Sequence, residues 1–384
     1  MIAALQDIIA FALVDLGIKV VTYVPGYGAS ETFDSYNLLA MRTPIISFHE
    51  ETAFSIAHGA SIVGVRSAVF IKAQGFMKAG NAATDSLYAQ NIAGFVTFIF
   101  DDVEGSNSDN ILEIEPILNG MAYPFKMTSG NSVYDDIVKA YLYSEQKKQP
   151  ITIIIKCTEI GKSFTVARRQ NLKKSFTYTR DIFSHVVNPI FAEYQYKVFT
   201  AKKLGVDTST VLRSETPTIP ENIPAKYKSS VEKYMPFFNI FKQLRGSIVT
   251  GDTSTSGMFV LPPFNCIDII THLGGSIPLA IGAYLAGYKS VWALTGDFGF
   301  ISAGHIGLLE AFNRQIPLKI VIFYNKEASA TGGQKIPKNI LKHILAGYSN
   351  SIIHISNPND LIELNTKLIE ANESDEMKII IVDF

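Results

Sequence analysis

The chain has 384 residues, of which 47% are hydrophobic and 18% charged, and its formal net charge is −1. This length exceeds a typical single core, so the composition predicts a globular protein of two domains. The near-zero net charge gives no global field that favours nucleic acid or an anionic membrane, and neither partner is expected. Two cysteines, Cys157 and Cys266, stand in unrelated contexts. They exclude a disulfide framework and an iron–sulfur cluster held by this chain alone, since such a cluster takes about four cysteine ligands.

One uncharged stretch, residues 269–288, approaches the length of a bilayer span. It contains His272, Pro278 and the pair Gly274-Gly275, which would open the backbone where unpaired amides are costly, so no membrane helix is expected. No Lys or Arg precedes the first apolar stretch and no cleavage-like small-residue site follows it. The sequence therefore predicts no signal peptide and a cytoplasmic location.

Short apolar runs alternate with helical segments in residues 1–158. The runs predicted as strands are residues 20–24, 67–71, 95–100 and 151–155. Their apolar character is continuous, which is typical of strands covered on both faces in a doubly wound parallel sheet. A shorter strand is predicted at residues 44–48, and the helix after it begins with a carboxylate, Glu50. Residues 1–158 are predicted to form one α/β domain.

The middle of the chain, residues 159–244, has a different composition. Charge density rises, Pro217, Pro220 and Pro224 cluster, and tyrosines recur without a strand pattern. This composition predicts a helical, partly extended connector rather than a third sheet. The basic run at residues 168–174 is interpreted as a solvated part of the connector.

A second set of apolar runs occupies residues 245–384. The runs are residues 247–250, 290–295, 318–324 and 378–382. We therefore predict a second α/β domain over residues 245–384, and a chain with two doubly wound parallel-sheet domains.

Polar residues follow two successive predicted strands in this second domain. The segment Gly296-Asp297-Phe298-Gly299 comes after residues 290–295, and Asn325 comes after residues 318–324. One βαβ unit would bring both side chains to neighbouring strand ends, where ligands collect in open parallel sheets. Carboxylate and carboxamide oxygens suit a hard divalent cation that holds a diphosphate. An isolated Gly-Asp pair would be weak evidence, since it more often marks a simple strand-ending turn.

These motifs, together with His49-Glu50-Glu51 before a helix rich in small residues, resemble the thiamine diphosphate enzymes. The resemblance implies the thiamin diphosphate-binding fold, with a pyrimidine-binding domain at residues 1–158 and a diphosphate-binding domain at residues 245–384. Other segments resemble the α subunit of indolepyruvate:ferredoxin oxidoreductase: Val24-Pro25-Gly26, Asp101-Asp102, Thr250-Gly251-Asp252, Leu261-Pro262-Pro263-Phe264-Asn265 and Leu273-Gly274-Gly275. The segment Thr331-Gly332-Gly333-Gln334 resembles the cofactor-proximal loop of 2-oxoacid:ferredoxin oxidoreductases and of phosphonopyruvate decarboxylases. The compact two-domain layout is similar to phosphonopyruvate and sulfopyruvate decarboxylases.

The resemblance implies roles for particular residues. Glu50 is expected to activate the cofactor's aminopyrimidine ring, while Glu51 points off the shared helix face. Asp297, Asn325 and the main-chain carbonyl of Glu327 are expected to hold Mg²⁺. Leu273 is expected to wedge between the cofactor rings, and the other expected cofactor contacts are Gly251, Asp252, Thr253, Gly296, Phe298 and Gly299. Taken alone, Glu50 would equally fit a carboxylate that complements a helix dipole, and Leu273 ordinary core packing.

Three histidines, His49, His272 and His305, lie in or beside these motifs. Imidazole groups titrate near neutral pH, so His49 and His272 in particular are candidates for handling protons on the substrate, and each also fits a structural role.

The expected reaction is decarboxylation of an aryl or branched 2-oxo acid with thiamine diphosphate and Mg²⁺. Three outcomes stay open: an oxidoreductase whose Fe–S centre or second catalytic subunit is another chain, a non-oxidative decarboxylase, or a catalytically silent scaffold. The oxidoreductase has a Cys-Pro-x-Cys segment where this chain has Pro224-Ala225-Lys226-Tyr227-Lys228, without cysteine. The resemblance implies a homodimer at least.

Overall fold

The structure is a computed structural model that describes residues 1–337 and 339–384. These residues divide into two compact units. The first unit comprises residues 1–179 and 202–206, and the second comprises residues 180–201 and 207–384. The residues expected to form a connector are thus shared: residues 159–179 pack with the first unit, and most of residues 180–244 pack with the second.

The first unit contains a five-stranded parallel sheet in the order β2-β3-β4-β6-β5 and a two-stranded antiparallel sheet of β1 and β7. Its strands are β1 (Ile2–Ala4), β2 (Val20–Tyr23), β3 (Ser67–Lys72), β4 (Phe95–Asp101), β5 (Phe125–Thr128), β6 (Ile151–Lys156) and β7 (Ser163–Thr165). Its helices are α1 (Leu5–Leu16), α2 (Ala29–Ala40), α3 (Glu50–Ile62), α4 (Ala73–Lys78), α5 (Gly80–Ser86), α6 (Ile114–Gly120) and α7 (Val133–Lys147).

Both faces of this sheet are buried. Phe70 and Phe98 belong to the core that α1, α2 and α7 complete, while Val69 and Ile99 are fully buried on the opposite face. Helix α3 packs against β2, β3 and β4 outside that core. Successive side chains in a strand point to opposite faces, so the continuous apolar runs of the sequence reflect burial on both. The predicted parallel α/β architecture is confirmed.

The short strand predicted at residues 44–48 is wrong. These residues form no strand, and one backbone hydrogen bond, from the Ser47 amide to the Tyr23 carbonyl at 3.0 Å, joins them to β2. Ile46 and Phe48 of this run are 39% and 47% exposed, so the run is a segment beside β2 and not a buried strand of the sheet.

The second unit contains a six-stranded parallel sheet in the order β14-β15-β11-β10-β8-β9 and a short antiparallel pair of β12 and β13. Its strands are β8 (Ile248–Gly251), β9 (Ile269–Ile270), β10 (Val291–Gly296), β11 (Lys319–Tyr324), β12 (Glu327–Ala328), β13 (Gln334–Lys335), β14 (Ile352–Ile355) and β15 (Lys378–Asp383). Its helices are α8 (Ile182–His185), α9 (Ala192–Lys203, whose last two residues pack with the first unit), α10 (Ala225–Leu244), α11 (Ser276–Leu285), α12 (Asp297–Gly299), α13 (His305–Asn313), α14 (Ile340–Ile344) and α15 (Leu361–Glu373).

Helix α10 buries an apolar stripe. Val231, Tyr234, Phe238 and Phe241 recur at intervals of three or four residues and belong to the main core of the second unit, as expected for one face of a helix. Helices α11 and α13 pack together, with α11 against β8 and β10. Between α12 and α13, residues Phe300–Gly304 form a π-helical turn. The helical stretch from α12 to α13 therefore holds one wider turn.

Within the described residues, no helix combines the length and the apolar character that crossing a membrane requires.

A buried ion cluster fixes the start of the second unit to its sheet. The Asp268 side chain is 2% exposed and pairs with Arg180, at 3.1 Å, and with Arg245. Its Oδ2 also accepts the Val249 amide at 2.8 Å. Burial raises the pKa of Asp268, while Arg245 and the amide favour the charged form. The carboxylate is therefore a structural anchor.

We expect Asp268→Asn to lower the free energy of unfolding by about 3 kcal/mol, because it leaves two arginines without their buried counter-charge. Urea unfolding monitored by tryptophan fluorescence measures the change. The control is Glu193→Gln, which removes an exposed pair with Lys197 and should leave the unfolding midpoint unchanged. A similar midpoint in both variants would show that the Asp268 cluster adds no stability.

Candidate active site

A cavity of about 180 Å³ lies at the carboxyl ends of β8, β10 and β11. Its lining includes Tyr234 on α10, Leu273, residues 253–256 after β8, residues 296–299 after β10, and residues 323, 325 and 327–331 from the end of β11 onward. The carboxyl edge of a parallel sheet is where ligands bind in open α/β folds. The cavity is thus the candidate ligand site of the second unit.

Asp297 is the central carboxylate of the cavity. It is 1% exposed, and its two oxygens accept the amides of Phe298, at 2.8 Å, and Lys326, at 2.6 Å. No Lys or Arg in the described part of the chain forms an ion pair with it. Burial raises the pKa of Asp297 to about 6, although the backbone amides act in the opposite direction. A buried carboxylate without a cationic partner fits a site that binds a cation.

Asn325 lies beside this carboxylate with a fixed amide. Its Nδ2 donates to the Tyr234 hydroxyl at 3.1 Å and to Ser329 Oγ at 3.0 Å. Its Oδ1 accepts the Glu327 amide at 3.1 Å. Since both donor positions are used within the protein, the amide presents its oxygen as the remaining acceptor.

The Glu327 side chain is committed elsewhere. It pairs with Lys335 at 2.7 Å and accepts the Ser329 hydroxyl at 2.9 Å. These contacts, with Lys335 first, lower the pKa of Glu327. The carboxylate is therefore held by neighbouring side chains, which leaves the main-chain carbonyl as the group that the sequence resemblance assigned to the metal.

Hydroxyl groups supply much of the polar lining. Thr253, Ser254, Thr255 and Ser256 follow β8, and Ser329 and Thr331 follow β12. Thr253 Oγ1 donates to the Thr271 carbonyl at 2.7 Å, and the Ser254 and Ser256 hydroxyls are 2.6 Å apart. Phe298 lines the cavity with 44% of its surface exposed. Hydroxyls and amides of this kind suit phosphate oxygens.

Several predicted site residues lie beneath the cavity rather than in its lining. Gly251 ends β8, and Asp252 is fully buried. Asp252 accepts the Ser276 amide at 2.8 Å and the Thr295 hydroxyl at 2.5 Å, and burial raises its pKa. A Cβ built at Gly299 would lie 2.6 Å from Asp252 Oδ2. Only glycine therefore lets the segment after β10 approach this carboxylate.

The histidines of the second unit also lie outside the lining. Burial lowers the pKa of His272 to about 4, so this ring is neutral at physiological pH, and its Nδ1 is 3.1 Å from the Thr271 hydroxyl. His305 begins α13 with Nδ1 3.3 Å from the Phe300 carbonyl.

Tyr234 was missed by sequence reasoning. It lies in the segment expected to be a connector, yet its ring is 3% exposed and its hydroxyl reaches Asn325 across 91 residues of sequence. The available signal was the apolar repeat of α10, which predicts burial of Tyr234 but not the partner of its hydroxyl.

The first unit places Glu50 at the first position of α3, directly after His49. The Glu50 side chain is 16% exposed, and its Oε2 lies 2.9 Å from the ammonium group of Lys78, which is 51% exposed. A Cβ built at Gly75 would lie 2.9 Å from Glu50 Cγ. Glycine at position 75 thus makes room for this carboxylate.

Glu51 faces another helix. It hydrogen-bonds the Asn81 side chain and the Ala82 backbone of α5, while burial raises its pKa. The two adjacent carboxylates of α3 therefore lie in different surroundings.

Two comparisons with known proteins give matches. Residues 252–366 match the family model described as thiamine pyrophosphate enzyme, C-terminal TPP binding domain. Benzoylformate decarboxylase from Polynucleobacter necessarius is a similar solved structure, with a TM-score of 0.65 and 12% identity, over 100% of this chain and 99% of that one. The thiamine diphosphate-dependent 4-hydroxybenzoylformate decarboxylase of Rhodococcus jostii RHA1 has a TM-score of 0.65 and 15% identity, over 99% and 98%.

No curated protein matches the sequence. At these identities the structural likeness establishes the fold, and the family model adds the second unit's domain type. Asp297, Asn325 and the cavity lie within the matched residues. Residues 252–366 therefore match the C-terminal domain model of thiamine pyrophosphate enzymes, and the chain has the fold seen in the two similar solved structures.

Proposed function

We propose that the chain binds thiamine diphosphate with Mg²⁺ in the cavity of the second unit and catalyses the decarboxylation of a 2-oxo acid. One observation carries the proposal: Asp297 is a buried carboxylate that has no cationic partner among residues 1–337 and 339–384. It lies beside the oriented carboxamide of Asn325 in a hydroxyl-lined cavity of a domain that matches this cofactor's family.

The residues of this cavity can supply the oxygen ligands that Mg²⁺ requires. Mg²⁺ prefers oxygen ligands and usually retains several waters, so one or two carboxylates suffice at a site that also binds phosphates. Asp297, Asn325 Oδ1 and the Glu327 carbonyl offer such a set. Among the described residues no cluster of three or more His, Cys, Asp or Glu side chains forms a metal site, which agrees with a set that includes an amide and a main-chain oxygen.

The residues also fit the diphosphate end of the cofactor. Hydroxyl groups at residues 253–256, 329 and 331 surround the cavity, and they can donate to phosphate oxygens. Leu273 contributes an apolar side chain to the same lining, and we propose that it lies between the cofactor rings, as the resemblance implies.

Tyr234→Phe tests the contact that orients Asn325. The variant removes a neutral hydrogen bond, so we expect the affinity for Mg²⁺-thiamine diphosphate to fall by about 3- to 10-fold. Calorimetric titration measures it. The control is Tyr227→Phe on the same helix, since Tyr227 packs against the core without lining the cavity. Equal affinities for the Tyr234 variant and wild type would show that the contact does not support binding.

When bound, thiamine diphosphate supplies the carbon nucleophile and takes up the electrons that decarboxylation releases. Glu50 would share a proton with the pyrimidine nitrogen N1′, as the resemblance implies, and so favour the reactive form of the ring. Lys78, the present partner of Glu50, is half exposed, so its ammonium group would turn into water when the pyrimidine ring binds.

We further propose that the active form is a homodimer or a larger symmetric assembly, in which Glu50 and the Asp297 cavity of one site come from different copies. The resemblance supports this arrangement, and symmetry then requires two equivalent sites. Sedimentation equilibrium tests it, and a monomer that retains full activity would contradict it.

The proposed substrate is an aryl 2-oxo acid, with branched 2-oxo acids next. Two similar folds are named for benzoylformate and 4-hydroxybenzoylformate decarboxylation, which favours a non-oxidative outcome. The segments Leu261-Pro262-Pro263-Phe264-Asn265 and Asp101-Asp102 favour a second candidate. This is an indolepyruvate oxidoreductase-like reaction that passes electrons to an Fe–S centre on another chain.

The test combines binding and turnover. Calorimetry with Mg²⁺ and thiamine diphosphate is expected to show saturable binding, and a panel of aryl and branched 2-oxo acids is expected to release carbon dioxide. Aldehyde formation identifies the non-oxidative reaction, and turnover that requires a viologen dye identifies the oxidative one. Failure to bind the cofactor would overturn the proposal, while binding without turnover across the panel would indicate a catalytically silent scaffold.

A further inference from the structure

A second cavity, of about 160 Å³, lies at the amino ends of β2 and β3. Lys19 and Arg66 precede these two strands, Gly64 follows α3, and Lys174 and Ser175 come from the chain after β7. All of these residues belong to the first unit. Since α3 begins at Glu50 and ends at Ile62, the second cavity lies near the end of α3 that is remote from Glu50.

Arg66 has a rigid guanidinium in this cavity. The side chain is 2% exposed, and its Nε pairs with Glu145 at 2.6 Å. Its Nη1 donates to the carbonyls of Leu16, at 2.7 Å, and Leu172, at 2.8 Å. Three hydrogen bonds thus hold Arg66 through Nε and Nη1, and the guanidinium lies 5.8 Å from the centroid of the Phe176 ring. The buried Nη2 has no hydrogen-bond acceptor among the described residues, which is costly unless a ligand accepts from it.

The cavity carries an excess of positive charge. Lys19, Arg66 and Lys174 line it, and Glu145 is the carboxylate paired with Arg66 and, at 3.5 Å, with Lys174. These three cations and one carboxylate give the cavity a local net charge of +2. In the described residues the Lys19 ammonium has no ion-pair partner. The charge and the free donor both favour an anion.

The basic run at residues 168–174 contributes to this arrangement. Arg168 pairs with Asp15 at 2.5 Å and Arg169 pairs with Asp135. These ion pairs fix the start of the run, and Lys174 at its end lines the cavity. The Leu172 carbonyl and the Lys174 ammonium then meet the Arg66–Glu145 pair.

We propose that this second cavity binds one tetrahedral oxyanion, either inorganic phosphate or the phosphate group of a small ester. Its lining brings together one arginine and two lysines from three parts of the first unit, which suits a single anionic group. A guanidinium matches phosphate geometry, and the two lysines supply point charges. The net charge of +2 matches a phosphate dianion. This site is independent of the reaction proposed above.

The test is calorimetric titration of the full chain with inorganic phosphate at constant ionic strength in chloride. Wild type is expected to bind one phosphate per chain in this cavity. Lys19→Met combined with Lys174→Met should weaken binding by more than about tenfold, because hydrogen bonds to charged groups are lost. Both single variants are included, and the melting temperature without phosphate verifies folding. Lys162→Met is the control, since Lys162 is an exposed lysine of the first unit that does not line the cavity.

The cavity of the second unit could also accept phosphate, so the titration is repeated with Asn325→Asp, which adds a negative charge there. Phosphate binding that survives Asn325→Asp and falls in the lysine variants supports the proposal. Binding that disappears in Asn325→Asp and persists in the variants of Lys19 and Lys174 overturns it, as does equal weakening by Lys162→Met or equal affinity for acetate. Glycerol phosphate distinguishes the two sources: binding at least as tight as that of phosphate indicates an ester, and weaker binding indicates the free ion.

Discussion

Replacing Glu50 by glutamine will lower the rate at which the 2-oxo acid substrate is decarboxylated by about 10²- to 10⁴-fold. This is the usual loss when a general acid–base group is removed. Glutamine has nearly the same shape and still fits above Gly75, but it cannot exchange a proton with a ring nitrogen. The affinity for thiamine diphosphate should change little, because the cation and diphosphate contacts lie in the other unit. Steady-state kinetics with calorimetric titration separates the two effects.

The matched control is Glu51→Gln in the same helical turn. Glu51 bonds to α5, so its loss should affect stability before turnover. Unchanged turnover in Glu50→Gln, with the cofactor bound, would exclude the proposed role of this carboxylate. A large loss in Glu51→Gln with Glu50→Gln unaffected would assign the role to the neighbouring residue.

Replacing Asp297 by asparagine will abolish the magnesium-dependent part of cofactor binding, with a loss of more than about 100-fold in affinity. Outer-shell substitutions alone typically cost 10- to 100-fold, and Asp297 is proposed as a direct ligand. Asparagine also places an NH₂ group against one of the two amides that the carboxylate accepts. Binding of thiamine diphosphate with and without Mg²⁺ measures the loss. Asp375→Asn, an exposed aspartate outside the cavity, should bind like wild type.

The pH dependence of the same site follows from its burial. The pKa of Asp297 is raised from 3.8 to about 6, so in the absence of metal this carboxyl adds stability that is fully present below pH 3.8. That contribution is lost as the pH rises through 6. A bound cation prefers the ionised form and reverses the trend. The rise in melting temperature caused by Mg²⁺ with thiamine diphosphate should therefore be large at pH 7.5 and fade below pH 6. A rise that is equal at pH 5 and pH 7.5 would exclude Asp297 as the titrating ligand.

The sequence predicted the strands that carry the site because those strands are buried on both faces. Residues 290–295 and 318–324 correspond closely to β10 and β11, and the polar residues after them meet at one cavity. The short strand β14 was missed, and the run at residues 44–48 was mistaken for a strand. Apolar runs of this length do not distinguish a strand ladder from an extended segment.

The partners of polar groups were harder to predict. Asp252 follows a strand end just as Asp297 follows another, and both were expected to contact the cofactor. The structure uses Asp252 to anchor the Ser276 amide and the Thr295 hydroxyl. Tyr234 is the opposite case: its place in the apolar stripe of α10 predicts a core residue, yet its hydroxyl also orients the Asn325 amide. Such roles depend on tertiary hydrogen bonds, which residue type and spacing do not specify.

The π-helical turn at Phe300–Gly304 changes how this region must be compared with relatives. A π turn closes on i→i+5 bonds and so holds one residue more than an α turn. The side chains before the turn are therefore rotated about the helix axis relative to those after it. The face on which Asp297 lies cannot be found by counting back from α13 at 3.6 residues per turn. A protein whose corresponding helix is α-helical throughout would align with this segment only across a single-residue gap inside the turn.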